Sequence, residues 1–146
     1  MNGESPVVLL VEDEPAHAEI VRRNFADFHP ASRLMHVADG QAALDYLYRR
    51  ADYHDPARSP RPTLILLDLR LPRVDGLEVL KTIKTDPGLR RIPVVILTTS
   101  AAETDRVRAY DSHANSYLVK PIDFPRFVAL LEALGCYWLT WNENPA

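Results

Sequence analysis

The sequence predicts an α/β fold, a doubly wound five-stranded parallel sheet flanked by five helices. Two observations lead to this class. Five short segments alternate along the chain with segments whose apolar residues recur at helical spacing. Most of the short segments are rich in Val, Ile and Leu, as strands buried on both faces are. Strands that alternate with helices are joined by right-handed crossovers, which place helices over both faces of a parallel sheet.

The first part of the chain contains two predicted strand and helix pairs. Pro6 to Val11 is the first buried strand, and Pro15 suits the first turn of the helix that follows. The apolar positions of that helix are Ile20, Val21, Phe25 and Phe28. Arg33 to Val37 is a weaker strand, and Asp39 is the predicted N-cap of the second helix. The apolar positions of this helix are Ala43, Leu44 and Leu47.

The middle of the chain begins with a loop and continues with the third pair. Arg49 to Pro62 is polar and contains several prolines, so it is predicted to be a long surface loop. Thr63 to Leu67 is the third strand. The helix after it ends before the turn sequence Asp86-Pro87-Gly88. Its apolar positions are Leu77, Leu80 and Ile83.

The last part of the chain supplies two more pairs. The fourth and fifth strands are Pro93 to Leu97 and Ser116 to Val119. Ser100 and Glu103 have the spacing of a capping box, which predicts that the fourth helix starts there. Asp123 is the predicted N-cap of the last helix. The apolar face of that helix consists of Phe127, Leu130, Leu131 and Leu134.

Composition excludes several classes of function. The chain has 146 residues, of which 47% are hydrophobic and 25% charged, as in an ordinary globular domain. A net charge of -3 argues against a nucleic-acid partner. No segment approaches the roughly 18 apolar residues of a membrane span, and the N-terminus does not resemble a signal peptide. Cys136 is the only cysteine, so the expected location is a reducing cytoplasm.

Charged and hydroxyl residues follow the predicted strands at their carboxyl ends. Glu12-Asp13-Glu14 follows the first strand, Asp68 the third, Thr98-Thr99-Ser100 the fourth, and Lys120 the fifth. Ligands of open parallel sheets bind beyond the carboxyl ends of the strands. We therefore expect these side chains to converge on one edge of the sheet, which explains an acid directly after a buried apolar strand.

The expected cluster suits phosphoryl chemistry. Glu12, Asp13 and Asp68 would repel one another unless a cation lies among them, and oxygen ligands favour Mg²⁺. Lys120 adds a second positive charge beside Asp68. A carboxylate between a divalent ion and an ammonium group can attack phosphorus and form an aspartyl phosphate. Thr98 is placed to donate a hydrogen bond to a transferring phosphoryl oxygen.

Four motifs carry a family resemblance. VEDE, LLDLRLPRVDG, VVILTTS and SYLVKP, in this order and spacing, resemble the receiver domain of two-component response regulators, a flavodoxin-like fold. The resemblance covers about Val7 to Leu134. It implies Asp68 as phosphoacceptor, Glu12 and Asp13 as the metal pair, and the Arg70 backbone carbonyl as a further Mg²⁺ ligand. It also implies a role in switching for Thr98 and Tyr117, and in phosphate binding for Lys120 before a commonly cis proline, Pro121.

Three further segments narrow the resemblance to stand-alone receivers that serve phytochrome-type sensor histidine kinases. They are the proline-bearing loop, the segment KTDPGLRRIPVVILTTS and the aromatic tail. The resemblance implies such a kinase and an unidentified downstream protein as partners. It also implies a domain that is not an enzyme but assists its own phosphorylation and dephosphorylation. One departure is His113-Ala114-Asn115, where the family often has glycine-alanine. We expect residues 1–146 to form a single receiver domain without an output domain, with a core of about 7–134.

Alternative interpretations remain at this stage. A phosphatase with an aspartate nucleophile would also form an aspartyl phosphate, but it typically needs a second Asp where this chain has Arg70. A phosphorelay intermediate without its own output is the other alternative. Tyr117 is either a switch residue or a packing residue. The histidines have no metal-ligand spacing, so we expect surface or packing roles for His17, His29, His36, His54 and His113.

The segment 135–146 is an aromatic tail. Its large apolar residues follow directly on the last helix and are Tyr137, Trp138, Leu139 and Trp141. Because one helix face cannot bury all of them, they predict a homodimer that involves this segment. The alternative is a tail that folds back over the edge of its own sheet.

Overall fold

In a computed structural model, which describes residues 5–145, five strands and five α-helices alternate along the chain. The strands are β1 (Val7–Val11), β2 (Arg33–Val37), β3 (Leu64–Leu67), β4 (Val94–Thr98) and β5 (Ser116–Val119). The helices are α1 (Pro15–Phe28), α2 (Gly40–Leu47), α3 (Gly76–Thr85), α4 (Glu103–Asp111) and α5 (Phe124–Cys136). The predicted fold class is confirmed.

The strands form one parallel sheet in the order β2-β1-β3-β4-β5. Val11 at the end of β1 lies opposite Leu67 at the end of β3, and Leu67 lies opposite Ile96 of β4. The two residues that follow β1 and β3 are therefore neighbours at the carboxyl edge of the sheet. This register is what brings the first acidic motif to Asp68.

Side chains of each strand alternate between two apolar layers, as the strand period requires. Leu9 and Val11 of β1 face the layer covered by α2, α3 and α4, whereas Val8 and Leu10 face the layer covered by α1 and α5. All four are almost fully buried. Burial on both faces explains why the central strands are continuous apolar runs rather than alternating ones.

Helix starts agree with the sequence in most cases. The carboxylate of Asp39 accepts a hydrogen bond from the backbone of Ala42, 2.7 Å away, and Pro15 is the first residue of α1. Asp123 is the N-cap residue of α5, although its side chain makes no capping bond. The prediction of a capping box with Ser100 as N-cap is wrong, because α4 begins at Glu103 and its N-cap is Ala102.

The Ser100 hydroxyl is engaged elsewhere. It donates a hydrogen bond to the carboxylate of Asp105, with the oxygens 2.5 Å apart, instead of capping the helix by the capping-box pattern. Ala102, the N-cap residue, has extended φ and ψ of -65° and 131°, as is usual for an N-cap, and its side chain cannot accept a capping bond. The hydrogen bond from Ser100 to Asp105 thus takes the place of the capping bond that the sequence pattern predicted.

The segment 49–62 is more ordered than a simple surface loop. It contains a 3₁₀ turn (Ala51–Tyr53), and Ser59 is buried because its hydroxyl donates to the carbonyl oxygens of Tyr53 and Asp55, at 2.8 and 3.0 Å. The phenol of Tyr46 donates to the carbonyl oxygen of Pro60, 2.7 Å away. These bonds tie the segment to α2, so the prediction of a surface loop holds only for its exposed part.

The chain after α5 continues as a π-helical turn (Tyr137–Trp141). Trp138 and Leu139 pack against the layer under α1 and α5, whereas Tyr137 and Trp141 are 52% and 73% exposed. The tail therefore covers its own domain with two of its large apolar side chains and presents the other two to solvent. Within residues 5–145, no helix is long and apolar enough to cross a membrane.

Candidate functional site

The carboxyl ends of β1 and β3 bring two carboxylates together. Glu12 directly follows β1 and Asp68 directly follows β3, and the backbone N–H of Asp68 donates to the carbonyl oxygen of Val11 at 3.1 Å. Both side chains are buried, at 2% exposure for Glu12 and 6% for Asp68. The hydrogen-bonding ladder of the sheet thus holds two acids side by side in a region that is largely closed to water.

Asp13 completes an acidic cluster with these two residues. One carboxylate oxygen from each of Glu12, Asp13 and Asp68 lies within 4.8 Å of the others, close enough for all three to contact one cation. Asp13 is exposed, so the cluster opens to solvent on its side. An all-oxygen set with an open side suits Mg²⁺, which keeps several water ligands.

Lys120 reaches this cluster from the other side. Its backbone N–H donates to the carbonyl oxygen of Thr98 at 2.7 Å, which fixes the residue just after β5. Its ammonium nitrogen lies 3.0 Å from Oδ2 of Asp68 and also donates to Oε1 of Glu12. The side chain is 95% buried or more, so the alternative of a solvated surface charge does not apply. A buried ammonium paired with two carboxylates is strongly oriented.

The peptide bond before Pro121 is trans, as are all those that the structure describes. The expectation of a cis proline is therefore wrong. The two isomers of such a bond differ by only about 0.5–1 kcal/mol, so the local surroundings decide between them and the Lys-Pro sequence does not.

Burial dominates the electrostatics of Glu12. Removal from water raises the pKa of Glu12 to about 7, even though the hydrogen bond and charge of Lys120 act in the opposite direction. The neighbouring charge of Asp68 adds to the rise. The ammonium of Lys120 thus offsets only part of the cost of burying the Glu12 carboxylate, and a cation in the cluster would supply further positive charge.

Thr98 and Tyr117 meet at the loop that follows β4. Thr98 is the last residue of β4 and is fully buried, and its hydroxyl accepts a hydrogen bond from the N–H of Ser100 at 3.4 Å. The phenol of Tyr117, on β5, donates to the carbonyl oxygen of Ser100 at 2.9 Å. The two predicted switch residues, Thr98 and Tyr117, are therefore both hydrogen-bonded to the backbone of Ser100.

The backbone and the side chain of Arg70 contact different acids. Its N–H donates to Oδ1 of Asp68 at 3.1 Å, whereas its guanidinium pairs with Asp105 at the start of α4. Ser100 donates to the same carboxylate oxygen of Asp105. The loop after β3 and the loop after β4 are thereby connected by polar contacts, and Asp105 is a residue at the edge of the site that the sequence motifs did not single out.

His17 is the site residue that sequence reasoning missed. It was expected to be a surface or packing histidine, but its Nδ1 atom lies 3.0 Å from the ammonium nitrogen of Lys120. No metal-ligand spacing identifies it, because its partner is more than 100 positions away in the chain. The available signal is its place four residues after Asp13, in the first turn of α1, a helix that starts at the acidic cluster.

Comparison with known proteins agrees with this geometry. The family model of the response regulator receiver domain matches residues 8–132. The probable methanogenesis regulatory protein FilR2 of Methanothrix harundinacea is 46% identical over 146 residues, which cover 99% of this chain and 92% of that protein. Response regulator Rcp1 of Synechocystis sp. is 41% identical over 140 residues, which cover 96% of this chain and 93% of Rcp1.

Two solved structures have nearly the same fold. The phosphorylated cyanobacterial phytochrome response regulator RcpA superposes with a TM-score of 0.91 at 37% identity, covering 97% of this chain and 99% of RcpA. The Mn²⁺-bound form of Rcp1 has a TM-score of 0.91 at 40% identity, with the same coverage of 97% and 99%.

A five-stranded parallel sheet with three acids and a buried lysine at its carboxyl edge defines a phosphoacceptor signalling domain. With the match over residues 8–132, the chain belongs to the response regulator receiver family. The predicted resemblance and flavodoxin-like receiver fold are confirmed. The acidic cluster and the metal-bound relative also bear out the prediction of a divalent-cation cofactor, Mg²⁺.

Proposed function

We propose that Asp68 accepts a phosphoryl group from the phosphohistidine of a sensor histidine kinase. A carboxylate oxygen of Asp68 attacks phosphorus, the phosphorus–nitrogen bond breaks, and the histidine leaves with its electron pair. The observation that carries this proposal is the position of Asp68, buried between the acidic pair and an ammonium 3.0 Å away. Glu12 also pairs with this ammonium and lies beside two acids, so it is the match to the receiver family that favours Asp68 over Glu12 as the phosphoacceptor.

The ligands of Mg²⁺ in this proposal are carboxylate oxygens of Glu12, Asp13 and Asp68 and the backbone carbonyl of Arg70. The grouping of the three acids within 4.8 Å supports it. The ion, when bound, supplies positive charge to the oxygens of the transferring phosphoryl group. This role fits the raised pKa of Glu12, since the site as a whole lacks positive charge.

Lys120 and Thr98 stabilise the phosphorylated state in this proposal. The ammonium of Lys120 already touches Asp68, so it pairs with a phosphoryl oxygen after a small movement. The Thr98 hydroxyl turns from Ser100 towards the phosphate and donates to it. The phenol of Tyr117 bonds the same Ser100, so movement of this loop is transmitted to β5. A phosphate adds about two negative charges, which favours the arrangement in which Lys120 and Thr98 contact the phosphate over the one described above.

The surface that responds to this switch is apolar. Exposed large side chains lie on α4, at the end of β5, in the loop after it and at the start of α5, and they are Val107, Tyr110, Val119, Ile122 and Phe124. Apolar patches of this kind mark protein interaction sites. We infer that a downstream protein docks here. The domain itself is a switch and not a separate enzyme: the groups around Asp68 assist only its own phosphorylation and dephosphorylation.

The upstream partner in this proposal is a phytochrome-type sensor histidine kinase, because the phytochrome response regulator RcpA is so similar over almost the whole chain. The lone cysteine and the phosphotransfer partner support a cytoplasmic location.

The phosphatase alternative is disfavoured by Arg70, whose guanidinium is paired with Asp105 and offers no acid to a leaving group. Phosphotransfer profiling against purified kinases tests the partner, and rapid onward transfer to a histidine protein would favour the phosphorelay role.

We also infer a homodimer that uses the tail. Tyr137 and Trp141 are exposed on the π-helical turn, while Trp138 and Leu139 already pack on the domain. A second copy related by two-fold symmetry would bury the exposed pair. Sedimentation of the Tyr137→Ser, Trp141→Ser double variant tests this, because it leaves the packed residues in place. A wild-type chain that is monomeric at tens of micromolar, with and without phosphodonor, would rule the dimer out.

Phosphorylation itself is tested with a small-molecule phosphodonor and Mg²⁺. Wild type should gain one phosphate by mass spectrometry, and Asp68→Asn should gain none. Asp27→Asn is the matched control, because Asp27 is an exposed carboxylate near the far end of α1. It should be labelled like wild type. Labelling of Asp68→Asn at the wild-type rate would contradict the assignment.

A further inference from the structure

Lys120 has a third partner that the family motifs do not include. Its ammonium carries three N–H donors, and the structure offers three acceptors: Oε1 of Glu12, Oδ2 of Asp68 and Nδ1 of His17. The last two lie 3.0 Å from the nitrogen. Each of the three N–H donors of this buried ammonium therefore has an acceptor, and His17 is the one acceptor of the three that is not a carboxyl group.

The imidazole of His17 is itself held in place. It lies in the first turn of α1, and its ring meets the ring of Phe127 edge-on, with centroids 5.9 Å apart at 90°. Phe127 belongs to α5 and is buried, so the imidazole packs against a side chain that is itself fixed in the core. Because an ammonium can only donate, Nδ1 must present its lone pair and the ring proton must be on Nε2. Burial, and then the charge of Lys120, lower the pKa of His17, which agrees with a neutral ring.

We propose that His17 is a positioning residue for Lys120: its Nδ1 lone pair holds the ammonium between Glu12 and Asp68 in the orientation that phosphoryl transfer needs. The inference rests on the proposed role of Asp68 as phosphoacceptor. The lysine side chain has a flexible four-carbon stem, and a third acceptor restricts the positions that its ammonium can take more than two acceptors do. His17 supplies that third point from α1, and α5 supports it through Phe127.

A set of three variants separates this role from simple packing against Phe127. His17→Asn places an amide oxygen where Nδ1 stands, so it retains the acceptor. His17→Gln moves the acceptor one carbon further out. His17→Leu keeps the bulk and removes the acceptor. Phosphorylation by a small phosphodonor at saturating Mg²⁺ should slow about tenfold in His17→Leu, since a hydrogen bond to a charged group is lost. His17→Asn should stay within about threefold of wild type, and His17→Gln should resemble His17→Leu.

A double-mutant cycle shows whether His17 acts through Lys120. In a Lys120→Ala background, His17→Leu should cause no further loss of rate, because the group that it positions is gone. Nitrogen NMR of the wild type provides a second readout, in which His17 should show an unprotonated Nδ1 and a protonated Nε2. Thermal unfolding of all three His17 variants gives the matched check on folding.

The inference is overturned if His17→Leu is phosphorylated at the wild-type rate, if His17→Asn is as slow as His17→Leu, or if His17→Leu slows the Lys120→Ala protein further. Each of these outcomes leaves Asp68 labelled, so it is distinct from failure of the proposed function, in which Asp68→Asn would still accept phosphate. A Nδ1-protonated ring in the NMR spectrum would also contradict it.

Discussion

Gly76 touches the backbone of Asp68 so closely that no other residue fits in its place. A β-carbon on Gly76 would lie 2.1 Å from the carbonyl oxygen of Asp68 and 2.6 Å from the α-carbon of Leu69. The N–H of Gly76 also donates to the carbonyl oxygen of Leu69 at 3.0 Å. The start of α3 therefore packs directly on the chain that carries the proposed phosphoacceptor.

Gly76→Ala should lower the free energy of unfolding by about 3 kcal/mol or more, because the added methyl must displace backbone rather than a side chain. Urea unfolding measures the loss. Gly88→Ala is the matched control: its β-carbon would meet only the Asp86 carboxylate, 3.2 Å away, and should cost less than about 1 kcal/mol. Equal effects at the two glycines would show that the close approach to Asp68 is not tight.

Removal of the acidic pair should abolish metal binding. We expect the Glu12→Gln, Asp13→Asn double variant to lose Mg²⁺ affinity in a titration, since two of the three clustered carboxylates become neutral. In chelator its unfolding midpoint should stay the same or rise, because repulsion among the acids is relieved. Asp27→Asn should bind Mg²⁺ as wild type does, and unchanged affinity in the double variant would refute the site.

Metal binding and stability should both depend on pH through Glu12. Its folded-state pKa lies at about 7, above its ordinary value of 4.5, so the folded chain binds more protons than the unfolded chain between these values. In chelator, the free energy of unfolding should therefore decrease as pH rises from about 4.5 to about 7. Below pH 7, protons compete with Mg²⁺ and the apparent affinity should fall.

Glu12→Gln should flatten the pH profile of stability in chelator, because the titrating group is gone. Glu78→Gln is the control, since Glu78 is exposed on α3 and has no place in the cluster. Chemical unfolding at pH 5, 6, 7 and 8 measures the difference. A profile for Glu12→Gln that parallels wild type would assign the titration to another group.

Lys120→Ala should leave Mg²⁺ affinity intact or slightly higher, because a positive charge beside two ligands is removed. The same variant should lose the phosphorylation-dependent change at the surface of α4, β5 and α5, which hydrogen exchange can follow. Lys81→Ala, an exposed lysine on α3, should behave as wild type in both measurements. A normal response of Lys120→Ala would mean that the lysine has no part in switching.

Tyr117→Phe should lower the free energy of unfolding by about 1 kcal/mol, the net contribution of one hydrogen bond, because its phenol no longer donates to Ser100. It should also weaken the coupling between phosphorylation and β5. Tyr110→Phe is the control for stability, since Tyr110 is half exposed on α4. If phosphorylation changes the β5 surface of Tyr117→Phe as it does in wild type, Tyr117 is a packing residue only.

The sequence alone determined the fold class and most of the site, for a physical reason. Parallel strands expose their carboxyl ends at one edge, so the residue after each apolar run is placed by the pattern itself. Glu12, Asp68 and Lys120 were found in this way, and the four motifs then identified the family. The helix cap at Asp39 was also predicted correctly, since its carboxylate accepts a hydrogen bond from the N–H of Ala42.

Only the tertiary structure decided which side chains pair and which turn conformations the chain keeps. His17 lies against Lys120 across 103 positions, and no local spacing encodes that distance. Ser100 bonds Asp105 instead of capping α4, because an acid on the helix offered a stronger acceptor than the local pattern. His113 adopts a φ of 71°, the left-handed region that glycine favours, so the turn before β5 keeps this conformation without a glycine. In each case packing and charge in three dimensions outweigh preferences of about 1 kcal/mol that a sequence pattern expresses.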